Sequence, residues 1–374
     1  MYIFYRKVYP VQNYYPCHVV LLAIFSTFAR NHFMKKNILF IMNPISGTAR
    51  KAGIPGLIEE RLDKEKFDYS VVNTMYAGHA TEIAKEAKEK GTDIVVAVGG
   101  DGTVNEVARS IVQSGTALGI IPCGSGNGLA RHLMLPMDIG KAINLINRCE
   151  IHSLDYGIIN DNPFFCTCGM GFDAFISMKF SEAGKRGPVT YIENVLREGL
   201  KYRPETYEVH DENGTHIHKA FLISCANASQ YGNNAYIAPQ ASMSDGLLDV
   251  IIMEPFDVLD APQISIDIFN KTLDKNSKIK TFRTKKLHIR RDRPGLIHYD
   301  GDPTMTGEDV DISLIGKGIK VIVNPCADKT KRQPNMMQNA FSDLFNDLHS
   351  IRMNLTKQSR HIQALNQYLL NKIK

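Results

Sequence analysis

Residues Ile94–Ser110 read IVVAVGGDGTVNEVARS, and this stretch decides the fold. It opens with five apolar residues, four of them β-branched, which is typical of a buried strand. The glycines of Gly99–Gly102 interrupt this run, and from Thr103 onward apolar residues recur at helical spacing. The free backbone N–H groups and the dipole at such a helix start favour an anion. The segment therefore predicts a strand, a turn and a helix that bind phosphate, or alternatively a tight turn without a ligand.

Two further junctions of the same kind flank this stretch. The apolar run Asn37–Met42 is followed directly by Asn43–Gly47 (NPISG), and Ala117–Ile121 is followed by Pro122–Gly128 (PCGSGNG). In an open parallel sheet the carboxyl ends of the strands line one crevice, where ligands bind. Three polar, glycine-rich junctions at that edge predict a nucleotide phosphate site.

The periodicity divides the chain into four parts. Residues 36–150 alternate strand and helix patterns, which predicts an α/β domain with a parallel sheet. Residues 151–326 show short alternating runs between turn residues, with one helical stretch near residues 191–201, and predict an antiparallel β-sandwich domain. We expect ligands in the cleft between these domains. Residues 1–35 form an extension that we interpret as an over-long translation start, with a signal-like or interfacial anchor segment as the alternative.

The C-terminal residues 327–374 predict a linker and an amphipathic helix. Its apolar residues follow an alternating spacing of three and four; they are Phe341, Leu344, Leu348, Ile351, Leu355, Ile362, Leu365 and Leu369. This spacing favours a coiled-coil seam and hence a homodimer. A helix packed on its own body or lying on a membrane surface would show the same pattern.

Charge and cysteine content indicate location. The net charge of +5 gives no reason to expect a nucleic-acid partner. Residues 1–35 carry two Arg, two Lys and no acidic residue, and residues 327–374 carry eight basic and three acidic residues. Basic ends fit a cytoplasmic protein peripheral to the anionic inner face of the membrane, although solvated tails explain them as well. Seven cysteines without a C-x-x-C pair argue against zinc and redox motifs, and no apolar run is long enough to span a bilayer.

Five motifs resemble the diacylglycerol kinase and sphingosine kinase family of lipid kinases, in its bacterial diacylglycerol kinase type. They are NPISG (Asn43–Gly47), GGDGTVNEVA (Gly99–Ala108), PCGSGNGLAR (Pro122–Arg131), APQASMSDGLLDV (Ala238–Val250) and YDGD (Tyr299–Asp302). The resemblance implies an NAD kinase/diacylglycerol kinase-like fold and transfer of phosphate from ATP to a lipid hydroxyl, with Mg²⁺. The lipid stays open between diacylglycerol and a sphingoid base or ceramide.

The resemblance, together with the backbone amides of the loops, assigns the nucleotide site. The cofactor-binding residues so predicted are Asn43, Pro44, Ser46, Gly47, Thr74, Gly99, Gly100, Asp101, Gly102, Thr103, Asn105, Glu106, Gly124 and Ser125. Phosphoryl transfer also needs neutralised phosphate charge and a base aligned with the hydroxyl. Asp101 is the acidic residue expected near the phosphates.

The remaining site residues follow from the resemblance alone. The proton acceptor is Asp302, where bacterial diacylglycerol kinases carry Glu, or else Asp101, which matches the sphingosine kinase base. Asp300 belongs to the same predicted catalytic motif. Ser242 and Leu247, through their carbonyls, and Asp245, through its carboxylate, match the family's Mg²⁺ loop. Asp173 aligns with a substrate-binding aspartate, or alternatively caps a helix.

Two other classes of function remain open. A soluble-substrate kinase of the NAD kinase or phosphofructokinase type shares GGDGT, and a catalytically inactive nucleotide-binding regulator would keep the loops. The sequence contains no GKS or GKT and no HRD or DFG motif, which excludes the commoner kinase classes.

Overall fold

The computed structural model describes residues 35–44, 51–183, 199, 202–257 and 260–325. The N-terminal extension, Ser46, Gly47 and everything from residue 326 onward lie outside these residues. The C-terminal helix and its dimer seam therefore stay predictions from sequence. No helix among the described residues is long and apolar enough to cross a membrane.

The first part of the described chain alternates strands with helices. The strands are β1 (Lys36–Met42), β2 (Phe67–Asn73), β3 (Ile94–Gly99) and β4 (Ala117–Pro122). The helices are α1 (Ile54–Arg61), α2 (His79–Glu89), α3 (Asp101–Ile111), α4 (Gly128–His132) and α5 (Ile139–Arg148), and a 3-10 turn (Lys51–Gly53) precedes α1. The strands pair in parallel in the order β2-β1-β3-β4, which confirms the predicted α/β domain.

The second part is mostly strand. Its strands are β5 (Ile151–Ile159), β6 (Asn162–Phe164), β7 (Thr167–Gly171), β8 (Glu205–Asp211), β9 (Gly214–Ala220), β10 (Leu222–Ala226), β11 (Leu248–Met253), β12 (Ile279–Thr284), β13 (Lys286–Arg291), β14 (Gly295–Tyr299), β15 (Asp302–Thr306) and β16 (Asp309–Ile322). Its helices are α6 (Phe172–Ala183) and α7 (Ala261–Asn270), with a 3-10 turn at Leu273–Lys275. Helix α7 was not predicted from the sequence, and α6 was predicted only through the alternative that Asp173 caps a helix. The helical stretch predicted near residues 191–201 lies outside the described residues except for residue 199.

Two sheets organise these strands. A six-stranded antiparallel sheet has the order β12-β11-β10-β7-β14-β15. The other sheet continues the parallel strands as β4-β16-β13-β8-β9, with β5 paired to β16 and β6 to β5. Strand β16 joins the two halves, because it pairs antiparallel with β13 and, near its end, parallel with β4. The last strand of the second part thus completes the sheet of the first.

Burial of apolar residues explains how the helices pack on the parallel sheet and how the two sheets of the second part pack on each other. Strands β3 and β4 are buried throughout, since helices cover both faces of the parallel sheet. Apolar residues of α1 and α5 pack on one face, and those of α2 and α3 pack on the other. In the second part, β7, β10 and β11 pack their apolar residues against β8, β13 and β16. This packing confirms the predicted antiparallel β-sandwich.

Candidate active site

The junction between β3 and α3 has the geometry of an anion site. Gly100 is extended at the start of the helix, and no side chain caps the helix there. The N–H of Val104 is the first to bond back to Gly100, so the N–H groups of Asp101–Thr103 have no acceptor within the helix. Gly102 is exposed at this end. Phosphate can therefore approach the backbone here, as the sequence predicts.

The loop after β4 packs backbone to backbone on this junction. The Cys123 N–H donates to the Gly99 carbonyl at 2.8 Å. A Cβ on Gly124 would lie 2.6 Å from the Gly100 Cα, so a side chain at position 124 would push the two loops apart. Asn127 closes the loop, since its Oδ1 accepts from the Gly124 N–H and its Nδ2 donates to the Gly124 carbonyl. Ser125 is left exposed at the tip.

Asp101 holds these two loops together. Its Oδ2 accepts a hydrogen bond from the Asn127 N–H at 2.8 Å, and its Oδ1 accepts one from the Gly128 N–H at 2.6 Å. Burial raises the pKa of the Asp101 carboxyl, and these amides and the charge of Arg131 oppose the rise. Both carboxylate oxygens are thus engaged in shaping the loop.

Three further predicted nucleotide residues, Asn43, Pro44 and Thr74, lie at the same edge of the sheet, directly after β1 and β2. The Asn43 N–H donates to the Val98 carbonyl at 3.2 Å, and the Thr74 N–H donates to the Met42 carbonyl at 2.8 Å. Pro44 is exposed beside Asn43. The ends of β1, β2, β3 and β4 therefore meet at one edge, as the parallel pairing requires. Their role in binding ATP stays a prediction.

Two predicted nucleotide residues make internal contacts instead of facing the loop surface. The Glu106 carboxylate accepts from the N–H groups of Gly78 and Ala80, each at 3.2 Å, and so caps the start of α2. The side chain of Thr103 fills the space that a Cβ on Gly99 would occupy. Glu106 thus links α3 to α2, Thr103 packs against the turn at Gly99, and the contact of either residue with nucleotide stays a prediction.

Asp300 anchors a hairpin opposite this edge. Asp300 and Gly301 have φ values of 53° and 86°, which is the type I′ geometry that an Asp-Gly pair favours between β14 and β15. The Asp300 carboxylate, 3% exposed, accepts from the N–H groups of Phe165, Cys166 and Thr167. Burial raises the pKa of Asp300, while Arg109 and these amides oppose the rise. Its role in the structure is to fix the turn.

Asp302 presents the exposed carboxylate of this hairpin. Its side chain is 51% exposed, and its Oδ2 accepts from Nη1 of Arg109 at 2.6 Å. Arg109 lies on α3, as does Asn105, whose Nδ2 lies 3.5 Å from the Asp300 carbonyl oxygen. The helix that begins at the predicted phosphate loop (Gly99–Thr103) therefore also contacts the hairpin that carries Asp302. No local pattern in the sequence indicated Arg109.

A loop of the second part, at residues 231–233, packs on the loop after β4. The Asn233 N–H donates to the Gly126 carbonyl at 3.1 Å, and a Cβ on Gly232 would lie 3.1 Å from the Gly126 backbone. A Cβ on Gly128 would lie 3.1 Å from the Tyr231 carbonyl oxygen. No motif in the sequence assigned this loop to the site, although its Gly-Asn-Asn run is a turn signal.

Asp173 lies at the start of α6, and its side chain is 8% exposed. Its Oδ2 lies 3.0 Å from Nε2 of His298 and accepts from the Tyr231 hydroxyl at 3.3 Å, and its Oδ1 accepts from the Ala174 N–H. Gly169, the cross-strand neighbour of His298, leaves the space for this pair, because a Cβ there would lie 2.6 Å from Oδ2. Asp173 thus joins α6 to β14, and a substrate role stays a prediction.

The donors of the predicted Mg²⁺ loop fit a hard cation. Asp245 lies 3.5 Å from a nitrogen of Arg283, which also contacts Asp249. The buried Asp249 Oδ2 has no hydrogen-bond partner among the described residues, and burial raises the pKa of this carboxyl. One carboxylate with the carbonyls of Ser242 and Leu247 would suit Mg²⁺, which keeps several waters. The described residues contain no cluster of three or more His, Cys, Asp or Glu for a metal.

The fold and the site define a two-part kinase class, in which a phosphate loop on a parallel sheet faces a β-sandwich hairpin. Residues 37–159 match the diacylglycerol kinase catalytic domain, and residues 167–323 match the YegS C-terminal NAD kinase beta sandwich-like domain. The chain belongs to this diacylglycerol kinase-like family of lipid kinases.

Individual curated relatives and a solved structure are similar to the chain over most of its described part. "Uncharacterized protein sll0036" of Synechocystis is 32% identical over 75% of this chain and 69% of its own length. "Probable lipid kinase YegS" of Escherichia coli O17:K52:H18 is 27% identical over 71% of this chain and 89% of its own length. The crystal structure of a diacylglycerol kinase from Bacillus anthracis, 22% identical, has a TM-score of 0.62 and covers 79% of this chain and 98% of that chain. This last likeness shows the fold.

Proposed function

We propose that this chain transfers the γ-phosphoryl group of ATP to a lipid hydroxyl, with Asp302 as the general base. The phosphates would lie on the N–H groups at the start of α3 and on the Gly124–Ser125 backbone. Family membership supports a lipid kinase, and the anion geometry of the loops supports a bound nucleotide.

We choose Asp302 over Asp101 as the base because their carboxylate oxygens differ in the hydrogen bonds that they accept. Both carboxylate oxygens of Asp101 accept backbone N–H groups, so this side chain holds the loop. Asp302 is half exposed and uses Oδ2 for Arg109, and its Oδ1 has no donor among the described residues. A general base needs an oxygen within hydrogen-bond reach of the hydroxyl. Asp302 has an oxygen with no donor among the described residues, whereas each Asp101 oxygen already accepts a backbone N–H.

The reaction then follows from these positions. The lipid hydroxyl oxygen attacks the γ-phosphorus, its proton passes to Oδ1 of Asp302, and the bond from phosphorus to the β-phosphate oxygen breaks to release ADP. The loop N–H groups stabilise charge on the phosphate oxygens. Mg²⁺ bound by Asp245 and the carbonyls of Ser242 and Leu247 would supply positive charge that offsets the carboxylates of that loop.

The lipid substrate would be taken at a membrane surface. Large apolar side chains are exposed on elements that carry predicted site residues: Met75 and Tyr76 follow Thr74, and Met305 lies on β15, which begins at Asp302. Such side chains can enter the boundary of a bilayer. We therefore propose peripheral contact with the inner face of the membrane and a diacylglycerol or sphingoid substrate.

A transfer assay tests the proposal. The full chain, labelled ATP and Mg²⁺ are incubated with vesicles that contain diacylglycerol, a sphingoid base or ceramide, and separately with soluble NAD. We expect labelled lipid, and a loss of about a hundredfold or more in kcat with unchanged ATP affinity for Asp302→Asn. Label on NAD would identify a soluble-substrate kinase, and ATP binding without any transfer would identify a regulator. Either result overturns the proposal.

A further inference from the structure

Arg109 links three elements of the hairpin region through one guanidinium group. Its Nε donates to the Pro163 carbonyl at 3.1 Å, its Nη2 to the Tyr299 carbonyl at 3.2 Å, and its Nη1 to Oδ2 of Asp302 at 2.6 Å. The guanidinium also lies 4.6 Å from the centre of the Tyr299 ring. The side chain is 20% exposed. Its position is therefore set on several sides by groups other than the carboxylate.

Arg109 lies on the same side of helix α3 as Asp101, which follows the phosphate loop glycines. Asp101, Asn105 and Arg109 are each four residues apart on α3 and so follow one stripe of the helix. Asp101 bonds to the loop after β4, Asn105 contacts the carbonyl of Asp300, and Arg109 binds Asp302. A single rigid helix thus spaces the proposed base from the proposed phosphate site.

We propose that Arg109 is a positioning residue that fixes the orientation of the Asp302 carboxylate for proton acceptance. This inference rests on the proposed function. A half-exposed Asp side chain would otherwise sample several rotamers, and small misplacements of a reacting group reduce rates steeply. Arg109 holds Oδ2, which leaves Oδ1 for the lipid hydroxyl.

The pair of Arg109 and Asp302 differs from an ordinary surface ion pair because Arg109 also donates to two backbone carbonyls. An exposed pair contributes little because both long side chains must be ordered. Here the carbonyls of Pro163 and Tyr299 already order the guanidinium, so binding Asp302 requires little further ordering. A lysine could not reproduce these divergent contacts, since an ammonium lacks the planar fork of arginine.

The first test compares Arg109→Lys and Arg109→Ala with the full-length wild type in the lipid transfer assay. We expect kcat to fall about tenfold for Lys and about a hundredfold for Ala, with the KM for ATP changed by less than about twofold. Added guanidinium ion at millimolar concentration should restore part of the activity of Arg109→Ala, and added methylammonium should not. Selective rescue shows that the planar guanidinium is required, and the unchanged KM for ATP separates this effect from a general loss of structure.

A double-mutant cycle supplies the second test. If Arg109 acts through Asp302, Arg109→Lys should lower kcat much less in an Asp302→Asn background than in the wild type. Arg291→Lys is the matched control, because Arg291 binds the carbonyls of Gly295, Leu296, Thr306 and Gly307 at the far end of the same hairpin. Its effect on kcat should be the same in both backgrounds.

The outcomes separate the two claims. If the wild type is active and Arg109→Ala is equally active, the role of Arg109 is overturned and the kinase assignment stays intact. Fully additive effects in the double-mutant cycle lead to the same conclusion. An active wild type with Asp302→Asn equally active refutes Asp302 as the base, and with it the positioning role. A wild type that phosphorylates no lipid overturns both proposals.

Discussion

The carboxylate of Asp101 lies 2.6 Å from the backbone nitrogen of Gly128, and this hydrogen bond ties the glycine turn after β3 to the start of α4. The two loops are separated by a complete helix and strand in the sequence, yet they form one continuous backbone surface. The acidic residue expected nearest the phosphates is therefore the residue that holds together the two loops predicted to bind them.

Asp101→Asn should disrupt that surface. An amide cannot accept both backbone N–H groups, so one buried N–H loses its acceptor, at a cost of about 1–3 kcal/mol in the free energy of unfolding. We expect a lower melting temperature, weaker ATP binding by about tenfold or more, and a fall in kcat of about a hundredfold. Calorimetry and the lipid transfer assay measure these effects.

The control for this variant is Asp138→Asn. Asp138 accepts a single backbone hydrogen bond, from the Lys141 N–H at the start of α5, and an Asn side chain can also accept it. Its stability and activity should match the wild type within error. Wild-type ATP affinity in Asp101→Asn would refute the organising role of this carboxylate.

Gly124→Ala tests the close approach of the two loops. The added Cβ would lie 2.6 Å from the Gly100 Cα, which is backbone and cannot swing away. We expect a loss of about 1–3 kcal/mol in stability and at least about tenfold in ATP affinity. Gly115→Ala is the control, because nothing lies within 4 Å of its Cβ position. Equal ATP affinity in both variants would contradict the packing argument.

Local patterns account for the parts of the fold that the sequence predicted. The β-branched run of β3, the glycines after it and the helical spacing of α3 depend on neighbouring residues, and the structure confirms them. Helix α7 was missed because Ile264, Ile266 and Ile268 alternate with polar residues, which is the period of a strand. Helix α6 is apolar on several sides and has no clear helical stripe.

The contacts that build the site depend on residues far apart in sequence. Arg109 and Asp302 are 193 positions apart, and Asn233 reaches Gly126 from the other part of the chain. No periodicity encodes such pairs, so sequence reasoning found Asp302 through a motif and missed Arg109 entirely. Motifs identify the residue types of a site, but tertiary packing decides which carboxylate is left exposed.

Mg²⁺ should stabilise the protein through the loop that carries Asp245. A ligand that binds the folded state alone raises its stability as its concentration exceeds Kd. We expect millimolar Mg²⁺ to raise the melting temperature of the wild type and to have little effect on Asp245→Asn. The exposed Asp161→Asn serves as the control and should respond like the wild type. An equal rise in the melting temperature of Asp245→Asn would show that Mg²⁺ does not bind through this loop.

The C-terminal segment should control oligomeric state. Its apolar seam, from Phe341 to Leu369, would gain stability by packing against a second copy. We expect light scattering to show a dimer for the full chain and a monomer for a chain that ends at residue 325. A monomeric full chain would contradict the coiled coil, and the segment would then be a helix packed on its own body or one lying on a membrane surface. Only a membrane-surface helix should bind anionic vesicles in a salt-dependent manner.

Asp173 should contribute to stability through His298. The imidazole is buried, its Nδ1 has no hydrogen-bond partner among the described residues, and its Nε2 pairs with Asp173. Asp173→Ala would leave both ring nitrogens unpaired, so we expect a loss of about 1–3 kcal/mol in the free energy of unfolding. Asp173→Asn keeps an acceptor oxygen and should lose less. If the predicted substrate role also holds, Asp173→Asn should raise the KM for lipid and leave the KM for ATP unchanged.

Chemical denaturation of both variants, with Tyr231→Phe as the matched loss of the second donor to Asp173, measures the stability effect. Equal stability of Asp173→Ala and the wild type would show that the pair contributes nothing to the fold.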